Sequence, residues 1–419
     1  MSAGGDRRAR ARSDAVSADG DRRARARGRT SCSEGDRRGP GGGGGRTRAG
    51  SGTDVGASSA PPQRLVRCRV LLEELRLDAV LVSDLPDVRY LSGFRGEDAV
   101  LVVAREAVLI VTDARYVEQV REEAPDVELV VVEGAELLAD AARAAGERLG
   151  AGCALGYQAG AASHAAYRAL RRAHGGRLRD VRDRLSRLRM VKEPGEVAAI
   201  RAAAALVDLS LAVVVAEGLT GRTEAEVAWR LLEEFRARGA EGEAFPTIVA
   251  AGAHGAHAHA IPGARRIRKG EMVVIDTGAR VDGYCSDITR TFAAGRVSAA
   301  HRRLYDVVLE AQLAGLAAVR HGAHGRDEVD AAARAVITAA GHGERFGHGT
   351  GHGVGLEVHE APWLGRRRGD RLAAGMVCTV EPGVYLAGDA GVRIEDTVLV
   401  TRDGCEPLTL YPKHLQVVA

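Results

Sequence analysis

The chain has 419 residues, 45% of them hydrophobic and 27% charged, which is the balance of a soluble globular protein and allows two or three domains of roughly 150 residues each. Its net charge of +3 divides into +7 over residues 1–50, where 13 arginines meet six acids, and −4 over the remainder, so the body carries no basic footprint for nucleic acid. Six cysteines without a C-x-x-C pair exclude a disulfide scaffold in a chain of this length and read as buried thiols in a reducing compartment. No apolar run approaches the roughly 18 residues of a membrane span and no apolar leader opens the chain, so a cytoplasmic protein with no membrane partner is expected.

Residues 1–61 are of low complexity. GDRRARAR occurs at Gly5–Arg12 and again at Gly20–Arg27, and five glycines follow at Gly41–Gly45. Too few apolar side chains stand here to offset the entropy of ordering, so a disordered Arg/Gly-rich tail is expected. From Gln63, Val66, Val70, Leu71 and Leu75 fall on one face of a predicted helix. Strands are predicted within Asp78–Asp84, Ala99–Ala104, Ala107–Asp113 and Val127–Gly134, followed by a helix over Ala135–Leu149. Strands alternating with helices define a small α/β domain over 62–188.

At the junction LRMVKEPGEV, Pro194 suits the first turn of a helix and its neighbouring glutamates favour that end of the dipole. Thr223 and Glu226 have capping-box spacing and open a helix through Phe235. A further helix spans about 302–319, with Leu304, Val308 and Leu316 on one side. Helices flanking β-hairpins give an α+β domain over 189–419.

Two hairpins there carry acids. In VVIDTGARVDGYCSDITRTF, Asp282-Gly283 favours a tight turn that sets Asp276 roughly across from Asp287. In CTVEPGVYLAGDAGVRIEDTVLV, Gly388 lies midway between Glu381 and Glu395, which therefore face one another. Four carboxylates entering an apolar setting repel one another, and two divalent cations would balance them. Oxygen-rich ligation with one imidazole suits manganese, with cobalt, iron or zinc as alternatives. GHGTGHGVGLEVHE (Gly347–Glu360) offers His352 as that imidazole, on a glycine-rich backbone that packs close. It is not a dinucleotide fingerprint, because His352 stands where that motif needs glycine. A second histidine run, His254–Gly263, is read as a loop entering the same cleft, with His259 reaching substrate.

These motifs resemble the "pita-bread" metallopeptidases: methionine aminopeptidase, aminopeptidase P and the Xaa-Pro dipeptidases (prolidases). IDTGA, SDITRT, GTGHGVG, VEPGVY and RIED occur in that family's order, and DLPDVRYLSGF (Asp84–Phe94) resembles the creatinase/prolidase N-terminal domain, which points to the proline-specific branch. The resemblance implies an α+β pita-bread catalytic domain behind a smaller α/β domain. It implies that Asp276 holds one metal, Asp287 and Glu395 bridge two, and His352 and Glu381 complete the other. Glu381 would relay protons, with His259 and His359 as further catalytic groups. His259, His348, His359 and Arg393 would bind substrate. The expected activity is an Xaa-Pro aminopeptidase, with Xaa-Pro dipeptidase as the alternative and a metal-free peptide-binding protein as the reading from another class. The substrate would be a peptide or dipeptide with proline second, and the expected assembly a homodimer.

Overall fold

The computed structural model describes residues 62–419, so the expected tail and Cys32 lie outside the described residues. The first part runs α1 (Pro62–Leu75), β1 (Ala79–Val82), α2 (Leu85–Ser92), β2 (Val100–Ala104), β3 (Val108–Thr112), α3 (Val117–Glu123), β4 (Glu128–Val131), α4 (Leu137–Leu149), β5 (Leu155–Tyr157), α5 (His164–Ala173) and β6 (Leu178–Asp180). Its strands form one mixed sheet in the order β4-β3-β2-β1-β5-β6. The alternation of side chains explains why β1 and β2 read as continuous apolar runs: Val80, Val82, Leu101 and Val103 enter one core, while Ala79, Leu81, Val100 and Val102 enter another on the opposite face. Helices α1 and α2 cover the first face, α4 and α5 the second.

The four predicted strands and the predicted helix are present within three residues of their expected ends. Helix α1 is present too, but turned: Cys68, Leu71, Leu72 and Leu75 are buried, whereas Val66 and Val70 are 55% and 49% exposed. Periodicity alone admitted either apolar stripe, and the sheet selected the one that includes Leu72. Helix α2 and the β5–α5–β6 segment were not anticipated.

The second part continues α6 (Pro194–Ala216), α7 (Glu224–Ala237), β7 (Gly242–Glu243), β8 (Ile248–Ala251), β9 (Met272–Thr277), β10 (Ala279–Val281), β11 (Tyr284–Cys285), β12 (Ile288–Ala294), α8 (Ala299–Ala318) and α9 (Ala331–Ala339). It ends with β13 (Gly351–Gly353), β14 (Glu360–Leu364), β15 (Val377–Val380), β16 (Gly383–Leu386), β17 (Ala390–Arg393), β18 (Asp396–Val400), β19 (Cys405–Pro407) and β20 (Val417–Val418). Capping boxes start α6, between Glu193 and Glu196, and α7, between Thr223 and Glu226. Two sheets frame this part, ordered β20-β12-β9-β8 and β14-β13-β15-β18-β19. Helices α6 and α7 pack Val207, Leu211, Leu231 and Phe235 against Val273, Ile275, Ile288 and Phe292. Helices α8 and α9 pack Leu304, Val308 and Ile337 against Val384, Val392 and Ile394.

Helix α6 corrects one expectation. It is long and apolar enough to cross a membrane, with a mean hydropathy of 2.0 over its best window. Arg201 and Asp208 interrupt the run, which is why it escaped a search for an unbroken apolar stretch. Ile200, Val207, Leu211 and Val214 are nevertheless fully buried, so this is a core helix. Cys68, Cys153, Cys285, Cys378 and Cys405 are all free thiols, the first four buried.

Candidate metal centre and its cleft

The two acidic hairpins share a plan but differ in register. Asp282 and Gly283, both at positive φ, make the tight turn between β10 and β11. That turn fixes the pairing further down, where Asp276 lies opposite Thr289 and Thr277 opposite Ile288. Asp287, one residue before β12, is therefore diagonal to Asp276 rather than directly across from it. The pleat still puts both on the face away from α6 and α7. In the second hairpin Val380 pairs with Asp396 and Gly383 with Arg393, which leaves Glu381 and Glu395 facing each other between the two ladders.

His352 stands on β13, squeezed between β14 and β15. A Cβ at Gly351 would collide with the Thr379 carbonyl and one at Gly353 with the Ala361 carbonyl, so the flanking glycines allow the strand to enter at all. The imidazole is oriented by Nδ1, which donates to the Gly353 carbonyl at 3.1 Å. Its Nε2 then faces Glu381 at 3.2 Å and Asp287 at 3.7 Å. Asp287, His352 and Glu395 present ligand atoms within 4.8 Å of one another.

Asp276, Asp287, His352, Glu381 and Glu395 all line one cavity of about 820 Å³, together with His259, His348, His359 and Arg393. Burial, then the charge of Glu395, pushes the Asp287 carboxyl well above its ordinary range. Burial, then Glu381, does the same to Glu395. Burial also opposes ionisation of Glu381, but the hydrogen bond and charge of His352 hold it down to about 2. Arg393 supplies the nearest guanidinium, donating to Asp276 Oδ2 at 2.5 Å. One guanidinium and one imidazole cannot balance four carboxylates. Oδ1 of Asp276 and Oε1 of Glu395 are buried with no hydrogen-bond partner, which is the state of an oxygen reserved for a cation. The donor set therefore fits divalent ions.

The remaining residues fall into different settings. His259 is exposed on the loop after the turn Gly252–Ala256 and lines the cavity. His254, from the same run, instead pairs with the buried Glu224 at 2.8 Å and anchors that loop. His359 lies against His352, with ring centroids 4.3 Å apart. His359 is exposed as a residue, but partial loss of water around its imidazole, with His352 adding, pushes it down to about 4. His348 is occupied at both nitrogens: Nδ1 bonds the Gly349 carbonyl at 2.8 Å and Nε2 the Tyr385 hydroxyl at 2.9 Å. Because Nδ1 donates to that carbonyl, Nε2 of the neutral ring accepts from the Tyr385 hydroxyl, which itself accepts from Arg393 at 2.7 Å. Arg393 is fully engaged with Asp276, Tyr385, Thr289 and the Ala258 carbonyl. His348 and Arg393, expected to bind substrate, both line the cavity and are also bonded into its wall.

Three groups escaped the sequence reading. Thr289 donates to Glu395 Oε2 at 2.7 Å and accepts from Arg393 Nε at 3.0 Å. Tyr385 links Arg393 to His348. The run Arg366–Arg368 is exposed and lines the cavity, with Arg368 drawn aside by Asp183 at 2.9 Å and lying over the Trp363 ring. The triple arginine was visible in the sequence, but nothing local tied it to the cleft.

A two-part α/β and α+β chain with carboxylates and one imidazole converging in a buried cleft has the architecture of a metallopeptidase. Residues 198–402 match the metallopeptidase family M24 and residues 64–191 the creatinase/prolidase N-terminal domain. The Xaa-Pro dipeptidase of Pyrococcus horikoshii is 34% identical over 346 residues, 82% of this chain and 96% of that protein. The chain belongs to metallopeptidase family M24. Among solved structures, an Xaa-Pro dipeptidase from Bacillus anthracis is 36% identical, with a TM-score of 0.81 over 85% of this chain and 99% of that one. An X-Pro aminopeptidase from Thermotoga maritima is 35% identical, with a TM-score of 0.75 over 83% and 99%.

Proposed function

We propose that this protein hydrolyses the bond between an N-terminal residue and proline, and that its preferred substrate is the Xaa-Pro dipeptide. The observation carrying the peptidase reading is the convergence of Asp276, Asp287, His352, Glu381 and Glu395 on one cavity, two of them with orphaned buried oxygens. Asp276 would hold one ion, Asp287 and Glu395 both, and His352 with Glu381 the other. Two divalent ions, manganese in this proposal with cobalt, zinc or iron as alternatives, supply an ionised water near neutral pH when bound. Glu381 holds the proton released from that water and delivers it to the leaving proline nitrogen. His359 and His259 face the scissile carbonyl and steady the oxygen as it gains charge. A proline nitrogen in a peptide bond has no hydrogen to donate, so the site selects it by shape.

The dipeptidase reading replaces aminopeptidase as the first choice for two reasons. Xaa-Pro dipeptidases stand out among the similar proteins, and Arg366 and Arg367 offer cations at the cavity wall for a carboxylate one residue beyond the scissile bond. A dipeptide has its free carboxylate there; a longer peptide does not. The likeness to the Thermotoga aminopeptidase supports the second reading. We also place the domain division at 188/189 and take the protein to be a cytoplasmic homodimer, which sedimentation of the purified chain would check.

The deciding experiment compares Xaa-Pro with Xaa-Pro-Xaa under manganese. Faster turnover of the dipeptide is expected, and turnover of the tripeptide alone would restore the aminopeptidase reading. Asp287→Ala and His352→Ala should abolish both activities in a folded protein; retained turnover by either would remove the site.

A further inference from the structure

Arg189 is 1% exposed and lies just before α6, in the short turn Ser186–Arg189. Its guanidinium pairs with Asp87 on α2 and with Glu357, and its Nε bonds Glu360 Oε2 at 3.3 Å. Lys192 adds a second cation, its Nζ bonding Glu360 Oε1 at 2.8 Å. Asp87 is held in turn by Gln158 Nε2 at 2.6 Å, whose own carbonyl oxygen caps the Ser83 and Asp84 amides. Asp87, Glu360 and Lys192 are all buried. A single fork thus ties the six-stranded-sheet domain to Glu357, in the segment between β13 and β14, and to Glu360, the first residue of β14.

That segment carries His359 between the two glutamates. Among the described residues no hydrogen bond holds the His359 ring itself. Its place over the cleft depends on how its neighbours are pinned. Leu356 packs onto the core beneath α1 and α2, the Cys285 amide bonds the Gly355 carbonyl at 2.8 Å, and Arg189 with Lys192 fixes the other end. An arginine suits this task because its planar fork reaches three carboxylates in fixed directions, which a lysine ammonium cannot reproduce.

We infer that Arg189 is a positioning residue: by clamping Glu357 and Glu360 against Asp87 it sets His359 over the reaction site, so the N-terminal domain is a working part of the catalytic cleft. The inference rests on the peptidase reading only in giving His359 a role in turnover. Removing Arg189 outright would leave buried carboxylates under-compensated, so the conservative change Arg189→Lys is the informative one. Glu357→Gln accompanies it, because Glu357 is 42% exposed at its side chain and its amide keeps the volume.

Both variants of the full chain are assayed with manganese on an Xaa-Pro dipeptide, each alone and combined with His359→Ala. The expected loss is about tenfold or more in kcat with little change in KM, the range seen when a supporting partner of a site residue is removed. In the His359→Ala background the same change should cost less than about twofold, since coupled residues are non-additive. Hydrogen exchange should show the 353–360 amides less protected while β9 and β15 are unchanged. Equal losses in both backgrounds, or unaltered protection of 353–360, would overturn the inference. Should Arg189→Lys fail to fold, Glu357→Gln carries both readouts. An inactive wild-type protein would sink the peptidase reading, and hydrogen exchange would still decide the clamp.

Discussion

Replacing Thr289 by valine removes one oxygen and keeps the branched shape of the side chain. Thr289 is fully buried on β12, and its hydroxyl stands between Glu395, to which it donates at 2.7 Å, and Arg393, from which it accepts at 3.0 Å. The variant leaves Glu395 with one donor fewer and Arg393 Nε with no acceptor. A hydrogen bond to a charged group contributes roughly 1.5–3 kcal/mol, and a factor of ten corresponds to about 1.4 kcal/mol. The expected outcome is a loss of roughly 10- to 100-fold in manganese affinity or in kcat/KM, the range seen for groups that orient metal ligands. The backbone pairing of residue 289 with Asp276 remains and valine favours strands, so the fold should persist. Calorimetric titration with manganese and dipeptide hydrolysis measure the two quantities, with far-ultraviolet dichroism as the control. A folded Thr289→Val protein that binds manganese and turns over like the wild type would refute the argument that the hydroxyl aims Glu395.

Adding manganese to the chelated protein should raise its Tm, because an ion held only by the folded chain stabilises it by about 2.7 kcal/mol at 100 times Kd. Asp287→Ala should abolish that rise, and a rise of equal size in the variant would place the ion elsewhere. Behind the cleft, Arg290 and Asp396 are both about 1% exposed and pair at 2.7 Å. Asp396→Ala leaves that guanidinium under-compensated and should cost about 3–5 kcal/mol in a urea titration, whereas less than about 1 kcal/mol would mean the pair is not a support. For Glu271, burial raises the carboxyl, but the hydrogen bonds from Arg265 and the Arg268 amide more than offset this and hold it below its ordinary 4.5. Its contribution is therefore fully present above the unfolded value and is lost as pH falls through the depressed folded one. Urea midpoints of Glu271→Gln and wild type should differ at pH 6 and converge below pH 4; a constant gap would show that the pair is not what titrates.

Much of the local structure was legible because it rests on interactions within a few residues. Continuous apolar runs revealed β1 to β3, Pro194 with its neighbouring glutamates marked α6, and the capping-box spacing at Thr223 marked α7. The Asp282-Gly283 turn could be read from its residue types, and the symmetry about Gly388 was enough to face Glu381 with Glu395. The diagonal offset of Asp276 from Asp287 needed the exact turn centre, and a shift of one residue in that centre moves every pairing by two.

By itself the sequence determined which donors exist and in what local settings: four acids beside two hairpins, and histidines on a glycine-rich strand. Tertiary structure alone decided what each of them is bonded to. His348 and Arg393 are bound to Tyr385 and Asp276, partners 8 to 117 residues away, while the His359 ring has no hydrogen-bond partner among the described residues. Hydrogen-bond satisfaction in a buried site is set by whichever groups the packing brings within 3 Å or so, and sequence spacing carries no information about partners that distant.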